Sequence, residues 1–363
     1  MPTRTLGQLG WSVGEIGLGT EYLIPATRET IIEVVRAAHE RGVTYYELFP
    51  AQPHYRDAMG EAFAPLRKEV ILSAHLGSTV PDNQYEAARD VAVCRKWFED
   101  YLRRFRTDYA DVVFLHNVDT QEDTDDVLRL DGLLGLAQDY VKKGSARAVG
   151  FAGHTVSTSL QAVRTGAIDM LLFPVHLAGH TFVSPEFNSM ASIHDLLQEC
   201  RERGVAVVAM KPYGGGKLVE RRPDGRSAAT PVQCLAYTLS QPGVACAVPG
   251  CANVAELESA LAYLDATPAE RDYGPAIAQV NETVQGGCVY CNHCLPCPSE
   301  IDIAQVMRYL DRYELQEQEA IYRSYHNLVN NADDCIECGA CEERCPFRVA
   351  IIERMRAAQT LFS

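Results

Sequence analysis

Two runs of closely spaced cysteines carry the clearest chemical signal in this sequence. Eight of its 13 cysteines fall in them: Cys288, Cys291, Cys294 and Cys297, and then Cys335, Cys338, Cys341 and Cys345. Thiolates separated by two residues wrap the corners of an iron–sulfur cube, and a Cys-Pro farther along the chain ligates the other cube in two-cluster ferredoxins. Since both runs end in Cys-Pro, the spacing predicts two [4Fe–4S] clusters.

The two runs differ in one detail, and zinc is the alternative metal for both. The second run has the full bacterial spacing, whereas the first is one residue short before its Cys-Pro. Zinc sites with four cysteines also use pairs that are two residues apart. The ferredoxin pattern assigns one cluster to Cys288, Cys291, Cys294 and Cys345, and the other to Cys335, Cys338, Cys341 and Cys297.

A second set of reactive side chains lies at the ends of short apolar runs. The run Val112–Leu115 lacks polar alternation, as expected of a strand buried on both faces of a parallel sheet, and it stops at His116. Similar runs stop at Glu47, His75, His154, His176 and Lys211. Because the carboxyl ends of strands in a parallel barrel meet at one mouth, we expect these side chains to lie close together.

Imidazoles and a carboxylate that face one point suit Fe(II), Mn(II), Zn(II) or Ni(II). The alternative for any single histidine is a hydrogen-bonded polar residue at a strand end. We predict a mononuclear divalent metal, with ligands drawn from Glu47, His75, His116, His154 and His176.

The predicted catalytic residues overlap with these ligands. They are His75, His116, Tyr55 and Lys211. Imidazole and phenol groups are suited to proton transfer, and the lysine is suited to binding an anionic group of the substrate. His54, beside Tyr55, and His180, four residues after His176, are further candidate ligands.

The segments between the apolar runs have the spacing of amphipathic helices. Helices are predicted over 27–41, 85–105, 130–143, 155–165, 193–203 and 254–264, and glycine follows several of them as an end signal. Eight alternations of strand and helix over roughly 250 residues are typical of a (β/α)8 TIM barrel, an α/β fold. We predict this barrel over 1–270, a linker over 271–287, and a small α-rich, ferredoxin-like iron–sulfur domain over 288–363.

Composition and charge restrict the classes of partner. The formal net charge is −15 and 47% of the residues are hydrophobic. The negative charge argues against nucleic acid and anionic membrane surfaces, and no apolar run is long enough to span a bilayer. We therefore expect a cytoplasmic protein that binds a small-molecule substrate and exchanges electrons with a partner.

The chain resembles the aldo-keto reductases, specifically a bacterial subgroup with a C-terminal ferredoxin-like extension. The resemblance covers nearly the whole chain. It rests on Gly17-Leu-Gly19-Thr20, Arg41-Gly-Val, Met59-Gly60-Glu61-Ala62, the segment from Asp111 to Asp119, Lys211-Pro212 with its glycines, Leu239-Ser-Gln-Pro-Gly-Val, Val248-Pro-Gly250 and the two cysteine runs. It implies a barrel that binds NADPH and reduces carbonyls with a tetrad of Asp, Tyr, Lys and His.

Most of that tetrad is replaced here. The family Asp falls on Glu47 and the family Lys on His75, while the His is retained as His116. The family Tyr falls on Gln52, with Tyr55 three residues farther on. The resemblance therefore implies a different set of catalytic groups on the same barrel.

The nicotinamide-binding positions are also replaced. The pair that holds the carboxamide becomes Ala152-Gly153, the Gln after strand six becomes Leu172, and the adenine-binding pair becomes Ser259-Ala260. The Arg that grips the 2′-phosphate becomes Glu256, and a carboxylate there would repel the phosphate. We therefore expect NADP not to bind.

These features lead to a first hypothesis and to alternatives. The first is an iron–sulfur oxidoreductase in which a Glu/His metal site replaces the tetrad and the nicotinamide. The alternatives are an NAD(P)-dependent carbonyl reductase with a degenerate tetrad and a redox-neutral, metal-dependent lyase or isomerase. A non-catalytic electron-transfer or assembly protein is the remaining class.

Overall fold

The computed structural model describes residues 1–178, 190–221, 227–280, 288, 294–313, 318–345 and 348–363. His180 and Cys291, two of the predicted ligands, lie outside these ranges. No described helix is both long and apolar enough to cross a membrane.

Short strands alternate with helices along the first two thirds of the chain. The strands are β1 (Thr3–Leu6), β2 (Trp11–Gly14), β3 (Leu18–Gly19), β4 (Tyr45–Glu47), β5 (Ile71–Leu76), β6 (Ser78–Thr79), β7 (Glu86–Ala87), β8 (Ala110–Leu115), β9 (Ala146–Ala152), β10 (Met170–Pro174), β11 (Ala206–Met210) and β12 (Val244–Val248).

Eight of these strands form a parallel sheet in the order β3-β4-β5-β8-β9-β10-β11-β12. Backbone contacts between the first and last strands close it into a barrel. The Gly17 amide donates to the Ala247 carbonyl and the Gly19 amide to the Pro249 carbonyl, each at 2.9 Å. A side chain on Gly17 would place its Cβ 2.8 Å from the Tyr45 carbonyl oxygen, so glycine is needed where the barrel closes. The predicted (β/α)8 barrel is confirmed.

The helices are amphipathic segments packed outside the strands or in the C-terminal domain. They are α1 (Arg28–Glu40), α2 (Pro53–Phe63), α3 (Val91–Phe105), α4 (Gln121–Val127), α5 (Leu133–Lys143), α6 (Val156–Arg164), α7 (Met190–Arg203), α8 (Pro231–Ser240), α9 (Val254–Leu261), α10 (Gly274–Val280), α11 (Ile303–Tyr313), α12 (Gln318–His326), α13 (Ala340–Arg344) and α14 (Ile351–Phe362).

The helix predicted over 85–105 begins six residues later than expected. The Asp90 side chain accepts a hydrogen bond from the Val93 amide at 2.8 Å and caps α3 at that point. Residues 78–87 instead form a hairpin, in which β6 pairs antiparallel with β7. Tyr85 therefore belongs to this hairpin and not to a helix. The prediction was wrong because a local cap overrode the helical spacing.

The end of the barrel opposite the mouth is fixed by a buried carboxylate at the start of β8. Asp111 is fully buried and lies 2.8 Å from Arg67 and 2.7 Å from Arg147. It also accepts the Leu72 amide at 3.0 Å, which ties β8 to β5. A buried charge with several partners of this kind fixes the strand register.

The C-terminal helices pack against one another and against the barrel. Asp311 on α11 lies 2.9 Å from Lys217, which follows β11, and it also pairs with Arg354 on α14. Arg308 on the same helix lies over the ring of Tyr22, with its guanidinium carbon 5.3 Å from the ring centre. Helix α11 therefore joins the cysteine-rich domain to the barrel.

Candidate functional site

A cavity opens at the C-terminal ends of the barrel strands. The space between its lining residues is about 810 Å³, part of it open to solvent. It is lined by Gly19, Glu21, Tyr22, Glu47, Phe49, His75, His116, Asn117, Ala152, His154, Leu172, Met210, Lys211, Pro212, Tyr213, Gly215, Gly216, Val248 and Gly250. Five of the predicted site residues are in this set, so the strand ends do meet at one mouth.

Four polar side chains form a connected chain on one side of this mouth cavity. The hydroxyl of Tyr85 lies 2.7 Å from Nε2 of His116. Nδ1 of His116 lies 2.9 Å from Nδ1 of His75. Nε2 of His75 lies 2.7 Å from Oε1 of Glu47. The sequence predicted three of these residues; Tyr85 was missed.

One arrangement of protons fits the two hydrogen bonds of the relay Tyr85–His116–His75–Glu47, whose last contact, between His75 and Glu47, is close but not aligned as a hydrogen bond. If the Tyr85 hydroxyl donates to His116, the proton of that ring lies on Nδ1 and points at His75. The remaining proton of His75 then lies on Nε2 and faces the carboxylate. Burial, with the neighbouring His75, lowers the pKa of His116 well below 6.5, so its ring is neutral as this arrangement requires. A connected row of phenol, imidazole and carboxylate groups of this kind suits proton transfer.

A second polar group lies across the cavity. Nε2 of His154 lies 2.9 Å from the Lys211 ammonium, and Nδ1 lies 2.8 Å from the Asp119 carboxylate. Burial and the nearby Lys211 both lower the pKa of His154. Lys211 has a left-handed backbone, with φ of 55°, which is costly for a non-glycine residue and is typical of functional sites. This strain supports a role for the lysine at the mouth.

Three further polar groups line the cavity and were missed as site residues. Glu21 Oε1, Asn117 Oδ1 and the Tyr213 hydroxyl are buried atoms that accept or donate no hydrogen bond within the described residues. Burial raises the pKa of Glu21 to about 7, with Glu47 adding to the effect and Lys211 opposing it. Buried polar groups of this kind are normally satisfied, so they mark positions where a ligand can bind.

Other predicted residues lie away from the cavity lining. Tyr55 is fully buried and its hydroxyl hydrogen-bonds to Thr20, so the structure does not place it at the mouth. Nε2 of His54 lies 2.8 Å from the Ile24 carbonyl. His176 is buried and does not line the cavity, and burial and the nearby Lys211 lower its pKa to about 3. The sequence could not separate these residues from the lining, because spacing does not specify where a side chain points.

Three of the predicted metal ligands, Glu47, His75 and His116, are connected to one another, whereas His154 contacts Lys211 and Asp119. Among the residues that the structure describes, no three His, Cys, Asp or Glu side chains converge where a single ion would bind. Two of these atoms could still bind a metal together. Glu47 Oε1 and His75 Nε2 lie 2.7 Å apart, and neither atom makes a well-aligned hydrogen bond within the described residues. That pair provides two donors for a metal.

The C-terminal cysteines surround a second cavity. About 380 Å³ in size, it is lined by Cys297, Cys335, Cys338 and Cys341, together with apolar side chains such as Ile301 and Met355. These are the four thiols that the ferredoxin pattern assigns to one cluster. They border a space and do not meet at a point, which fits a cube better than one zinc ion.

Three of the four thiols assigned to the other cluster are also described. Cys288 and Cys294 are buried and Cys345 is half-buried. Arg344, next to Cys345, donates to the carbonyls of Cys294 and Pro296 at 3.1 and 2.7 Å. The two cysteine runs are thus held side by side, as shared ligation requires.

Glu256, which the resemblance aligns with the family Arg that grips the 2′-phosphate, contacts the backbone around the start of its own helix. Glu256 lies in the first turn of α9, and its Oε2 accepts the Ala252 amide at 2.8 Å. Asn253 accepts the Glu256 amide at 2.9 Å. The N-cap Asn253 therefore already accepts one amide of the helix N-terminus, and the first turn carries the negative charge of Glu256.

Comparison with known proteins agrees with this architecture. Residues 13–233 match the aldo/keto reductase family, and residues 287–350 match a 4Fe-4S dicluster domain. The L-galactose dehydrogenase of Arabidopsis thaliana is 23% identical over 243 residues, which are 63% of this chain and 70% of that protein.

Two solved structures share the fold. One is the aldo-keto reductase AKR11C1 from Bacillus halodurans in its holo form, with a TM-score of 0.62, 19% identity, and coverage of 77% of this chain and 96% of that one. The other is the aldo-keto reductase from Klebsiella pneumoniae in complex with NADPH, with a TM-score of 0.57, 20% identity, and coverage of 78% and 95%. The chain belongs to the aldo/keto reductase family and carries a 4Fe-4S dicluster domain after its barrel.

Proposed function

We propose that this protein is an iron–sulfur oxidoreductase whose substrate binds in the mouth cavity and whose electrons pass through the C-terminal domain, without nicotinamide. The observation that carries the proposal is the contact of this domain with the mouth. Arg308 lies over Tyr22, which lines the cavity, and the Cys297 amide donates to the side chain of Gln84 at 3.1 Å. A cluster held by Cys297 would therefore lie beside the segment of the barrel that contains Gln84.

The substrate that suits the cavity is a small molecule with several hydroxyl groups and a carbonyl or lactol carbon. Glu21 and Asn117 offer buried acceptor atoms, and Lys211 offers a cation to a developing negative charge on oxygen. Phe49, Leu172 and the other apolar lining residues exclude water around these polar points. The similarity to an L-galactose dehydrogenase favours the same class of substrate.

The chain's own residues would bind the substrate and move protons. Reduction of a carbonyl adds two electrons and two protons, so that a C–H and an O–H bond replace the C=O π bond. When bound, the clusters would exchange these electrons one at a time with the substrate, and a low-potential carrier protein would be the external partner. Lys211 would orient the oxygen. His116 would donate or accept the proton at that oxygen once one of its ring nitrogens exchanges its partner in the relay for the substrate, and the proton at carbon would exchange with water, to which the cavity is partly open.

Replacement of the nicotinamide site supports the same proposal. Ala152 and Leu172 line the cavity where the family holds the carboxamide, and neither can donate or accept a side-chain hydrogen bond. Glu256 places a carboxylate at the phosphate position. The alternative, an NAD(P)-dependent carbonyl reductase, requires that the cofactor bind despite these groups.

Anaerobic single-turnover kinetics would test the proposal. Protein reduced with dithionite and freed of excess reductant is mixed with aldoses and their lactones, with polyols as controls that cannot accept electrons, and cluster absorbance is followed. We expect one compound to reoxidise the clusters, and His116→Gln to slow this by at least about a hundredfold, the usual contribution of a general acid–base. NADPH oxidation by the same compounds, with no change in the clusters, would overturn the proposal in favour of the reductase.

A second candidate is a mononuclear metal at Glu47 and His75, which one observation favours. The two atoms face each other at 2.7 Å without a well-aligned hydrogen bond. A metal there would act as a Lewis acid, either in an oxidoreductase or in a redox-neutral lyase or isomerase. Metal analysis tests this candidate. It is supported if wild type contains metal beyond the cluster iron and if the double variant His75→Ala with His116→Ala loses that metal. Its absence from wild type rules the candidate out.

A further inference from the structure

The hairpin Ser78–Ala87 contacts both the cysteine-rich domain and the catalytic side of the barrel. Two neighbouring residues make these contacts. The Gln84 side chain accepts the amide of Cys297 at 3.1 Å, and the Tyr85 hydroxyl lies 2.7 Å from Nε2 of His116. The chain thus connects a predicted cluster ligand to the predicted catalytic histidine through two hydrogen bonds and one peptide bond.

Packing links the hairpin to both the cysteine-rich domain and the barrel, so it cannot move independently of either one. Tyr85 is 6% exposed and packs with Ala51 and Val80 in a small apolar cluster, which Leu295 of the cysteine-rich segment also contacts. Phe49 of the same cluster stacks on the His116 ring, with centroids 5.5 Å apart and planes at 13°. A shift of the cluster loop would therefore displace Tyr85, and Tyr85 would displace the His116 ring.

We propose that the hairpin Ser78–Ala87 couples the iron–sulfur domain to the mouth cavity, with Gln84 holding the Cys297 loop and Tyr85 positioning His116. The inference rests on the proposed function, since it takes Cys297 as a cluster ligand and His116 as the proton-transfer group. Tyr85 is a positioning residue, because it acts through His116 and does not line the cavity. The consequence is that the geometry of the barrel site depends on docking of the iron–sulfur domain.

Substitutions in the hairpin separate the two contacts. Gln84→Ala removes the acceptor of the Cys297 amide and leaves Tyr85 in place, whereas Gln84→Glu keeps an acceptor of the same length. Tyr85→Phe removes the hydroxyl and keeps the ring that packs against Leu295. Glu86→Ala, an exposed residue of the same hairpin, is the matched control.

The test uses holoprotein with no substrate, so that its outcome is independent of the proposed reaction. Iron and sulfide content, the cluster midpoint potentials and the side-chain nitrogen resonances of 15N-labelled histidines are measured for each variant. His116 is assigned with His116→Gln. We expect Tyr85→Phe to move the His116 resonances and leave both potentials unchanged. We expect Gln84→Ala to shift one potential and also the His116 resonances, although Gln84 does not touch that ring. Gln84→Glu should restore the wild-type cluster potential and His116 resonances, and Glu86→Ala should change neither of these measurements.

Coupling is refuted if Gln84→Ala, with full cluster content, leaves the His116 resonances of wild type unaltered. If Gln84→Ala cannot hold the clusters while Gln84→Glu can, the comparison is made between cluster-free and loaded Gln84→Glu. If the cluster-free and the loaded Gln84→Glu proteins have the same His116 resonances, coupling is refuted. Failure of the proposed reaction would appear separately, as clusters that no substrate reoxidises.

Discussion

The ammonium of Lys211 lies 2.9 Å from Nε2 of His154, whose other ring nitrogen lies 2.8 Å from Asp119. Because an ammonium can only donate, Nε2 is the acceptor and the ring proton lies on Nδ1, toward the carboxylate. The histidine is therefore neutral, and it holds the lysine in a fixed position at the mouth. A ligand that binds Lys211 meets a charge that is already oriented.

Glu21→Gln should make stability less dependent on pH. The raised pKa of Glu21, about 7 against 4.5 when unfolded, means that the folded state keeps a proton that the unfolded state has lost. Stability therefore falls as the pH rises from about 4.5 to 7, by at most roughly 3 kcal/mol. The Glu21→Gln variant should be as stable as wild type near pH 4.5 and more stable than wild type at pH 8. Thermal midpoints at both values test this, with the exposed Glu40→Gln as control; equal midpoints at pH 8 would contradict it.

Tyr55→Phe should affect stability and not the reaction. The Tyr55 hydroxyl hydrogen-bonds to Thr20, whose own hydroxyl donates to the Glu47 carbonyl at 2.6 Å. Loss of one buried hydrogen bond costs about 1 kcal/mol. Tyr46→Phe, in which a buried tyrosine loses its bond to the Val43 carbonyl at 3.2 Å, is a matched control measured by denaturant unfolding. A Tyr55→Phe enzyme of normal stability and no activity would instead show that this tyrosine is catalytic.

Glu256→Arg should increase affinity for NADPH. Wild type should bind it weakly, because the carboxylate repels the 2′-phosphate and occupies the amide of Ala252. Reversal of one charge beside a phosphate should strengthen binding by at least about tenfold, or 1.4 kcal/mol. Fluorescence titration measures both proteins, and Glu258→Arg makes the same change in charge elsewhere on α9. Tight binding by wild type would restore the nicotinamide-dependent alternative.

Iron analysis should give about eight Fe per chain with matching sulfide in protein prepared without oxygen. Cys338→Ser removes one thiol from the second cavity and should lower the iron content by about half. Cys246→Ala, which alters a buried thiol inside the barrel, should keep all of it. Stoichiometric zinc without sulfide would show that the cysteines bind a different metal.

The parts of the structure that the sequence predicted are those set by periodicity. The barrel, and the meeting of Glu47, His75 and His116 at one mouth, follow from the alternation of strand and helix. The contacts of these side chains do not, since ring orientation depends on packing across strands. Tyr85 was missed because its segment resembled the start of a helix, and Glu21 because it begins a single short 3-10 turn that leaves no periodic pattern in the sequence. The only signal for either was a polar residue near a strand end.

The two ion pairs of Asp311 have a consequence for how the chain unfolds. One carboxylate contacts Lys217 of the barrel and Arg354 of the C-terminal helix, so neither part can detach without leaving a partly buried charge unpaired. The chain has the sequence of two modules, yet it should melt as one cooperative unit. A chelator that strips iron would then lower the melting temperature of the barrel as well, and a damaged cluster would mark the whole molecule for proteolysis.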